Sequence, residues 1–173
     1  MQVIRKLPAP SRYLRALLLL LAIAAALPAL ADTRSNGTLE LYKKGQQDGV
    51  PGNLSCSIDL VTGEHNFHES ENCENDEIYF FKLLNAPSAT TISFHDSPDC
   101  NEKNDQNFYL YFKTVKHNFS FETPLSLTIT AATAVGRIVA GSGGLLRMEK
   151  KMTTGQIDGK LSCVTIKRSA APD

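Results

Sequence analysis

The 173-residue sequence has no tryptophan and a single long apolar run, from Ala16 to Leu27. That run is shorter than the roughly 20 residues that a membrane-spanning helix needs. Beyond it, no stretch keeps the period of an amphipathic helix, and no two cysteines form the closely spaced pair of a zinc site. These absences argue against a membrane-spanning protein, a helical protein and a structural zinc domain.

The first 31 residues have the organisation of a secretory signal peptide. Basic residues precede the apolar run, and the small residues Ala29 and Ala31 follow it, with Asp32 next. This is the order of charged, apolar and cleavage regions in such leaders. We therefore expect removal of residues 1–31 and export by the general secretory route. The mature chain would begin near Asp32 and be periplasmic or extracellular.

The charge balance changes when the predicted leader is removed. The full sequence carries 18 basic and 18 acidic residues, and four of the basic ones lie in the leader. The mature chain therefore holds 14 basic and 18 acidic residues, a net charge of −4. Nucleic acids and anionic lipids bind clustered positive charge. We expect neither as a partner, no membrane span, and another protein as the binding partner.

Four cysteines remain in the mature chain. An even number in an exported protein indicates disulfides, because oxidising compartments form and keep them. Three pairings are possible for four cysteines. We favour one bridge in each half of the chain, with Cys56 bonded to Cys73 and Cys100 bonded to Cys163.

A period of two dominates the mature chain, and this period is typical of strands with one buried and one exposed face. Apolar residues occupy every second position from Leu54 to Leu60, including Cys56, so these side chains should point into a core. The segment from Leu125 to Thr130 alternates in the same way. Two further segments, Ile78–Leu84 and Phe108–Phe112, are apolar or aromatic at successive positions and should be covered on both faces. Short strands separated by turn-forming clusters predict an all-β sandwich or barrel.

A weak internal repeat relates the two halves of the mature chain. The segment that begins at Thr38 aligns with the one that begins at Thr91, and residues 75–83 align with residues 158–166. The second half is the longer one, and its additional residues include the glycine-rich stretch 140–144.

This arrangement resembles the βγ-crystallin superfamily, whose members pair two Greek-key motifs, each ending in a strand introduced by an Asn/Asp pair. The stretches at residues 75–76 and 158–159 stand where those pairs would fall. The resemblance implies a disulfide-stabilised Greek-key β-sandwich in a single domain, residues 32–173. Its first motif would span about 38–84 and its enlarged second motif about 90–168.

Calcium-binding members of that superfamily follow the Asn/Asp pair with hydroxyl residues, and both copies here depart from this pattern. Tyr79 and Phe80 stand at the hydroxyl positions of the first copy, while Gly159 and Cys163 replace ligands in the second. Calcium takes six to eight oxygen ligands, so we expect no cofactor, with calcium binding in doubt. The degenerate ligand candidates are Asn75, Asp76, Asp158 and Ser162.

The segment from Glu69 to Glu77 holds five carboxylates in nine residues. Such a run is either a solvated loop, here attached to the sheet by Cys73, or a surface that meets a basic partner. We take it as the candidate binding loop, with Glu69, Glu71, Glu74, Asn75, Asp76 and Glu77 as its polar residues.

No specific catalytic motif is present. His65 and His68 lie in a polar segment without the helical pattern of a zinc-protease motif, and His95 and His117 are isolated. Ser142 lies among glycines but lacks the spacing of a nucleophile elbow, so this stretch is interpreted as a hairpin turn. We therefore expect a protein that is not an enzyme.

These observations favour an exported, non-catalytic β-sandwich of βγ-crystallin-like type with a binding or structural role. Two alternatives are left open. An inhibitor or immunity-type protein would use the acidic segment to neutralise a hydrolase or toxin. A small secreted hydrolase would carry a dispersed site, because paired carboxylates are recognised only by their separation in space.

Overall fold

Short strands and one turn of helix make up the described part of the chain. The computed structural model describes residues 36–69, 72–103 and 105–169, so the predicted signal peptide and Glu71 lie outside the described residues. No helix in these ranges is long and apolar enough to cross a membrane. The elements are β1 (Thr38–Lys44), β2 (Pro51–Asp59), β3 (Gly63–Asn66), β4 (Phe80–Leu84), β5 (Thr90–His95), β6 (Phe108–Thr114), β7 (Leu125–Ser126), α1 (Leu127–Ala131), β8 (Leu146–Thr153) and β9 (Cys163–Arg168).

The strands form two antiparallel sheets. The first sheet has the order β2-β1-β4-β7, and the second has the order β3-β9-β5-β6-β8. Their facing sides share one apolar core, in which the ring of Phe81 from the first sheet lies 5.0 Å from Phe94 and 5.9 Å from Phe112 of the second. The first pair is edge-to-face and the second is stacked, and aromatic pairs in such arrangements add about 0.5–1.5 kcal/mol to the burial of the rings. The prediction of an all-β, disulfide-stabilised sandwich is confirmed.

The third strand of each half crosses to the opposite sheet. β3 follows two strands of the first sheet but pairs with β9 of the second, with Asn66 opposite Cys163. β7 makes the reciprocal exchange and pairs with β4, with Ser126 opposite Phe80. In both halves the last strand returns beside the first, which is the Greek-key connection.

The two halves also share their strand register. In the first sheet Tyr42 of β1 lies opposite Phe80 of β4. In the second sheet His95, which the internal repeat aligns with Tyr42, lies opposite Cys163, which the repeat aligns with Phe80. The aligned turns before β4 and β9 both place a residue in the left-handed region, Asp76 at φ 56° and Gly159 at φ 67°. The repeat in the sequence therefore coincides with equivalent hydrogen-bonded positions.

Both disulfides have the favoured pairing. Cys56 is bonded to Cys73 and Cys100 to Cys163, with Cα–Cα distances of 5.1 and 5.3 Å. The first bridge fixes the segment before β4 to β2. The second fixes the connection between β5 and β6 to the start of β9.

One predicted core residue of β2 is exposed. Cys56, Ile58 and Leu60 are buried as predicted, whereas Leu54 is 48% exposed. The reason is a bulge at Ser55: Cys56 lies opposite Leu41, but the next pair joins Leu54 to Tyr42. The extra residue turns Leu54 to the outer face, as bulges do.

The segment Leu125–Thr130 is only partly a strand. It pairs with β4 through Leu125 and Ser126 and then forms the single helical turn α1. The Ser126 hydroxyl accepts a hydrogen bond from the amide of Ile129 at 3.3 Å, which caps this turn. The prediction of a strand is therefore wrong beyond Ser126, where the chain forms a helical turn.

The prediction of strands covered on both faces is wrong for β6 and holds in part for β4. β6 alternates, with Tyr109 and Tyr111 half-buried on the outer face of the second sheet. β4 has consecutive buried residues at Phe80 and Phe81, and the longer runs of buried residues lie in the central strands β5 and β9. Polar side chains such as Ser93 and Thr165 are buried there, in strands paired on both edges, and the hydrophobicity of the sequence alone does not reveal that.

Candidate functional site

The connection between β5 and β6, residues 96–107, forms a loop over one end of the outer face of the second sheet. We call it the 96–107 loop. Asp96 closes its base, because one carboxylate oxygen accepts 2.9 Å hydrogen bonds from both the backbone and the side-chain amide of Asn107. The bridge from Cys100 to Cys163 holds the middle of the loop to β9. A buried histidine, an ion pair and an acidic cleft lie between this loop and the strands beneath it.

A buried histidine lies beneath the loop. His95 is fully buried, with Nδ1 3.1 Å from the carbonyl oxygen of Asn101 and Nε2 2.9 Å from Oγ of Ser93. A carbonyl oxygen only accepts, so Nδ1 carries the proton and Nε2 accepts from the serine hydroxyl. Burial lowers the pKa of His95 below its usual range, although the hydrogen bond to Asn101 acts in the opposite direction. The neutral ring therefore connects loop and sheet.

An ion pair at the edge of the loop continues this polar layer. Glu102 is paired with Lys150 of β8 and accepts a hydrogen bond from the hydroxyl of Tyr111. The lysine lies over the rings of Tyr109 and Tyr111, at 5.2 and 5.7 Å from their centroids. Hydrogen bonding to Lys150 lowers the pKa of Glu102, and burial raises the pKa of Tyr111 to about 12. The loop is thus attached to the sheet by a disulfide, a histidine and this ion pair.

An acidic cleft of about 550 Å³ opens between the 96–107 loop and β3. Glu64 and Glu69 come from β3 and the turn after it, and Asp99 comes from the loop. Among the described residues that line it there is no lysine or arginine, and the disulfide residue Cys163 lies at its wall. The cleft is lined by Glu64, His65, Asn66, Glu69, Pro98, Asp99 and Cys163.

The predicted binding loop does not form a single site in the described residues. Glu69 lines the acidic cleft. Glu74 is paired with Lys43, and Asp76 lies 3.6 Å from Nζ of Lys160. Asn75 is half-buried with an unpartnered amide oxygen, Glu77 is exposed, and Glu71 lies outside the described residues.

The degenerate calcium candidates are brought together in part. A carboxylate oxygen of Asp76 lies 3.4 Å from Oγ of Ser162, so the two turns meet. Asp158 instead accepts a 2.7 Å hydrogen bond from Thr128, and a lysine, Lys160, lies beside Asp76 where an ion would compete with it. In the described ranges no three Asp, Glu, His or Cys side chains form a group that could hold a metal ion. The expectation of no cofactor, with calcium binding in doubt, stays a prediction.

Ser142 has a structural environment. Its side chain is fully buried, its hydroxyl donates to the carbonyl of Val139 at 2.7 Å, and Oγ accepts from the amide of Leu146 at 3.3 Å. These bonds form the turn that leads into β8. The interpretation of residues 140–144 as a turn is confirmed.

Sequence reasoning missed Glu64 and Asp99 as members of one site. They are 35 positions apart, and two contacts bring them together: the pairing of β3 with β9 and the bridge from Cys100 to Cys163. The favoured cysteine pairing placed Asp99 beside β9, but the position of β3 there depends on the crossing of the third strand. Comparison with protein-family models, with curated proteins and with solved structures finds no match to this chain.

Proposed function

We propose that this chain is an exported, non-catalytic β-sandwich of βγ-crystallin-like type that binds a protein partner through the acidic cleft. The proposal rests on the cleft, where three carboxylates line a concave surface and the described lining residues include no lysine or arginine. A lysine- or arginine-rich segment of a partner would supply the missing positive charge, and complementary charge increases both the association rate and the specificity of such contacts.

Two features support the crystallin-like part of the proposal. Each half returns its last strand beside its first, and equivalent residues of the two halves lie at equivalent positions of the strand pairs.

Two disulfides in a domain of this size are typical of exported proteins. They support the predicted leader, which lies outside the described residues.

The cleft is also well fixed for binding. Asp99 is next to Cys100, whose bridge holds it against β9, and Glu64 lies within β3, opposite Thr165. Carboxylates on a fixed backbone lose less conformational entropy when a partner binds than carboxylates on a mobile loop. The proposal therefore places the binding surface at the cleft rather than along the whole of residues 69–77.

Titration of the mature protein with a labelled octalysine peptide tests the proposal. We expect the double variant Glu64→Gln/Asp99→Asn to bind about tenfold more weakly, since each screened charge pair contributes up to about 1 kcal/mol and 1.4 kcal/mol is a factor of ten. The matched control is Asp48→Asn/Glu122→Gln, which removes two exposed carboxylates outside the cleft. Equal weakening in both variants would show attraction by net charge alone and contradict the proposal.

A further inference from the structure

A row of cationic side chains crosses the uncovered end of the outer face of the second sheet. Lys167 of β9 lies opposite Thr91 of β5, Thr91 lies opposite Lys113 of β6, and Lys113 lies opposite Arg147 of β8. Their neighbours along each strand, including Ile166, Ile92 and Phe112, are buried in the core. The four side chains therefore point away from the core at one level of the sheet, and we call them the cationic row.

The row has the geometry of a straight line of charges. Neighbouring strands lie about 4.8 Å apart, so Lys167 and Lys113 are about 10 Å apart and Arg147 is about 5 Å further on. Lys167 is exposed, and Lys113 and Arg147 are half-buried. The line runs across the strands.

The charges of this row are only partly compensated. Arg147 is paired with Glu149, at 2.5 Å from Nε to Oε1. The side chains of Lys113 and Lys167 make no ion pair or hydrogen bond with any residue that the structure describes. The carboxylate of Glu64 belongs to the next level of the sheet, opposite Thr165. Two of the three cations are thus available to an external anion.

Such a row is unfavourable for stability on its own. Like charges directly opposite on neighbouring strands destabilise a sheet, and Lys113 faces Arg147 in this way. Each pair of unit charges about 5 Å apart at an exposed site repels by roughly 1 kcal/mol or less. A bound polyanion would attract each of these cations and so offset the repulsion between them.

We propose that the cationic row binds a linear anionic polysaccharide whose sulfate or carboxylate groups contact Lys167, Lys113 and Arg147 as the chain lies across the strands. The hydroxyl of Thr91, between the two lysines, is placed to hydrogen-bond to sugar hydroxyls. Single-stranded nucleic acid is a poorer fit, because its binding surfaces add exposed aromatic platforms to the charge. The aromatic side chains beside the row, Tyr109 and Tyr111, are half-buried, with Lys150 over their rings. Anionic membranes recruit clusters of four to eight cations, more than this row provides.

This inference rests on different residues from the acidic cleft, which begins at the next level of the same face, at Glu64, and has the opposite charge. It also revises the expectation drawn from net charge. A total of −4 for the mature chain did not favour anionic partners, yet the strand register collects cations from three separate segments of the sequence at one level.

The test is calorimetric titration of the mature protein with dextran sulfate and with polygalacturonate, using neutral dextran as the reference polymer. We expect binding of at least one polyanion and none of dextran. Lys113→Gln/Lys167→Gln should weaken binding about tenfold or more and reduce the slope of log affinity against log salt by about two, one for each lost contact. The control Lys44→Gln/Lys103→Gln removes two exposed lysines outside the row and should bind like the unmodified protein.

Several results would overturn the proposal. These are no binding of either polyanion, equal weakening by the row variant and the control, or tighter binding of a single-stranded oligonucleotide or of phosphatidylserine vesicles than of both polysaccharides. Thermal unfolding of each variant checks that the fold is intact. The row variant is also titrated with octalysine. Unchanged octalysine binding would show that a loss of polyanion binding does not come from the acidic cleft.

Discussion

The two Greek-key units share a register but differ in what their connections carry. In the first unit, residues 38–84, the connection between β1 and β2 is the short stretch 45–50. In the second unit, residues 90–168, the equivalent connection is the disulfide-linked 96–107 loop, and a further insertion after β7 supplies β8. Asp99 of the cleft and Arg147 of the cationic row both come from these additions. The comparison shows a repeated scaffold in which the longer connections of the second unit supply Asp99 and Arg147, while Glu64 and Glu69 of the cleft come from the first unit. Loops on a rigid framework commonly carry function in this way.

Removing one disulfide at a time should give the largest difference in stability between the two units. Cys100 and Cys163 are 63 residues apart, whereas Cys56 and Cys73 are 17 apart. In the chain-entropy model the longer connection contributes about 4 kcal/mol and the shorter about 3 kcal/mol. We expect Cys100→Ala/Cys163→Ala to lower the free energy of unfolding in urea more than Cys56→Ala/Cys73→Ala. The reverse order would show that the first unit, not the second, depends more on its bridge.

The second strands of the two units differ at the bulge. Leu110 of β6 is fully buried, and Leu110→Ala should lower the free energy of unfolding by about 2–5 kcal/mol. Leu54 of β2 is turned outward by the bulge, so Leu54→Ala should change it by no more than about 0.5 kcal/mol. A large loss for Leu54→Ala, measured in the same urea titration, would mean that β2 keeps the unbulged register.

The turns before β4 and β9 sharpen the comparison at equivalent positions. Gly159 has φ 67°, and a Cβ atom there would lie 2.8 Å from the hydroxyl oxygen of Tyr79, so Gly159→Ala should cost about 1–2 kcal/mol. Asp76 already tolerates φ 56°. Asp76→Gly should change stability by less than about 1 kcal/mol, because relief of strain offsets the loss of an exposed ion pair. If thermal unfolding showed the same loss of stability for Gly159→Ala and Asp76→Gly, the two turns would not be equivalent.

The equivalent residues Tyr42 and His95 should give opposite and smaller dependences on pH. The pKa of His95 is lowered by burial, so its contribution to stability is complete above the unfolded pKa of about 6.5 and is lost as the pH falls towards the folded value. The pKa of Tyr42 is raised to about 12, by burial first and then by Glu40. Its contribution is complete below the unfolded pKa of about 10 and is lost as the pH rises towards 12.

Urea unfolding across the pH range checks this prediction. His95→Gln should flatten the acidic side of the stability profile, and Tyr42→Phe should flatten the alkaline side, where Tyr111 also titrates with a pKa of about 12. If either variant altered the other side of the profile, the pH dependence would have to come from different groups.

Local patterns in the sequence were enough to predict the all-β architecture and most of the strands, but not β3, because its residues Gly63–Asn66 have the polarity of a turn. Alternation placed Cys56, Ile58 and Leu60 in the core, and the cysteine count together with their distribution indicated both bridges. Alternation failed at Ser55, because a bulge is one extra residue that no polarity pattern marks. It failed again after Ser126, because a serine between apolar residues suits a strand and a helix cap equally well.

The candidate site was less predictable because it depends on pairing between distant segments. Glu64 and Asp99 meet only when β3 has crossed to the second sheet and Cys100 has joined Cys163. The cationic row likewise depends on the register of four strands. Three of these strands each supply one lysine or arginine, and a single such residue in a strand does not indicate a binding site. Composition gives the sum of the charges, and topology determines where they accumulate.

The crossing of β3 and β7 has a consequence for how such a fold can arise. Each half donates one strand to the sheet of the other, so neither half contains all the hydrogen-bonding partners of its own last strand. A chain of half the length could complete this sandwich only as a two-fold dimer with exchanged third strands. Duplication and fusion of such a chain would convert an interface between subunits into the interior of one protein, and would free one copy to lengthen its loops independently of the other.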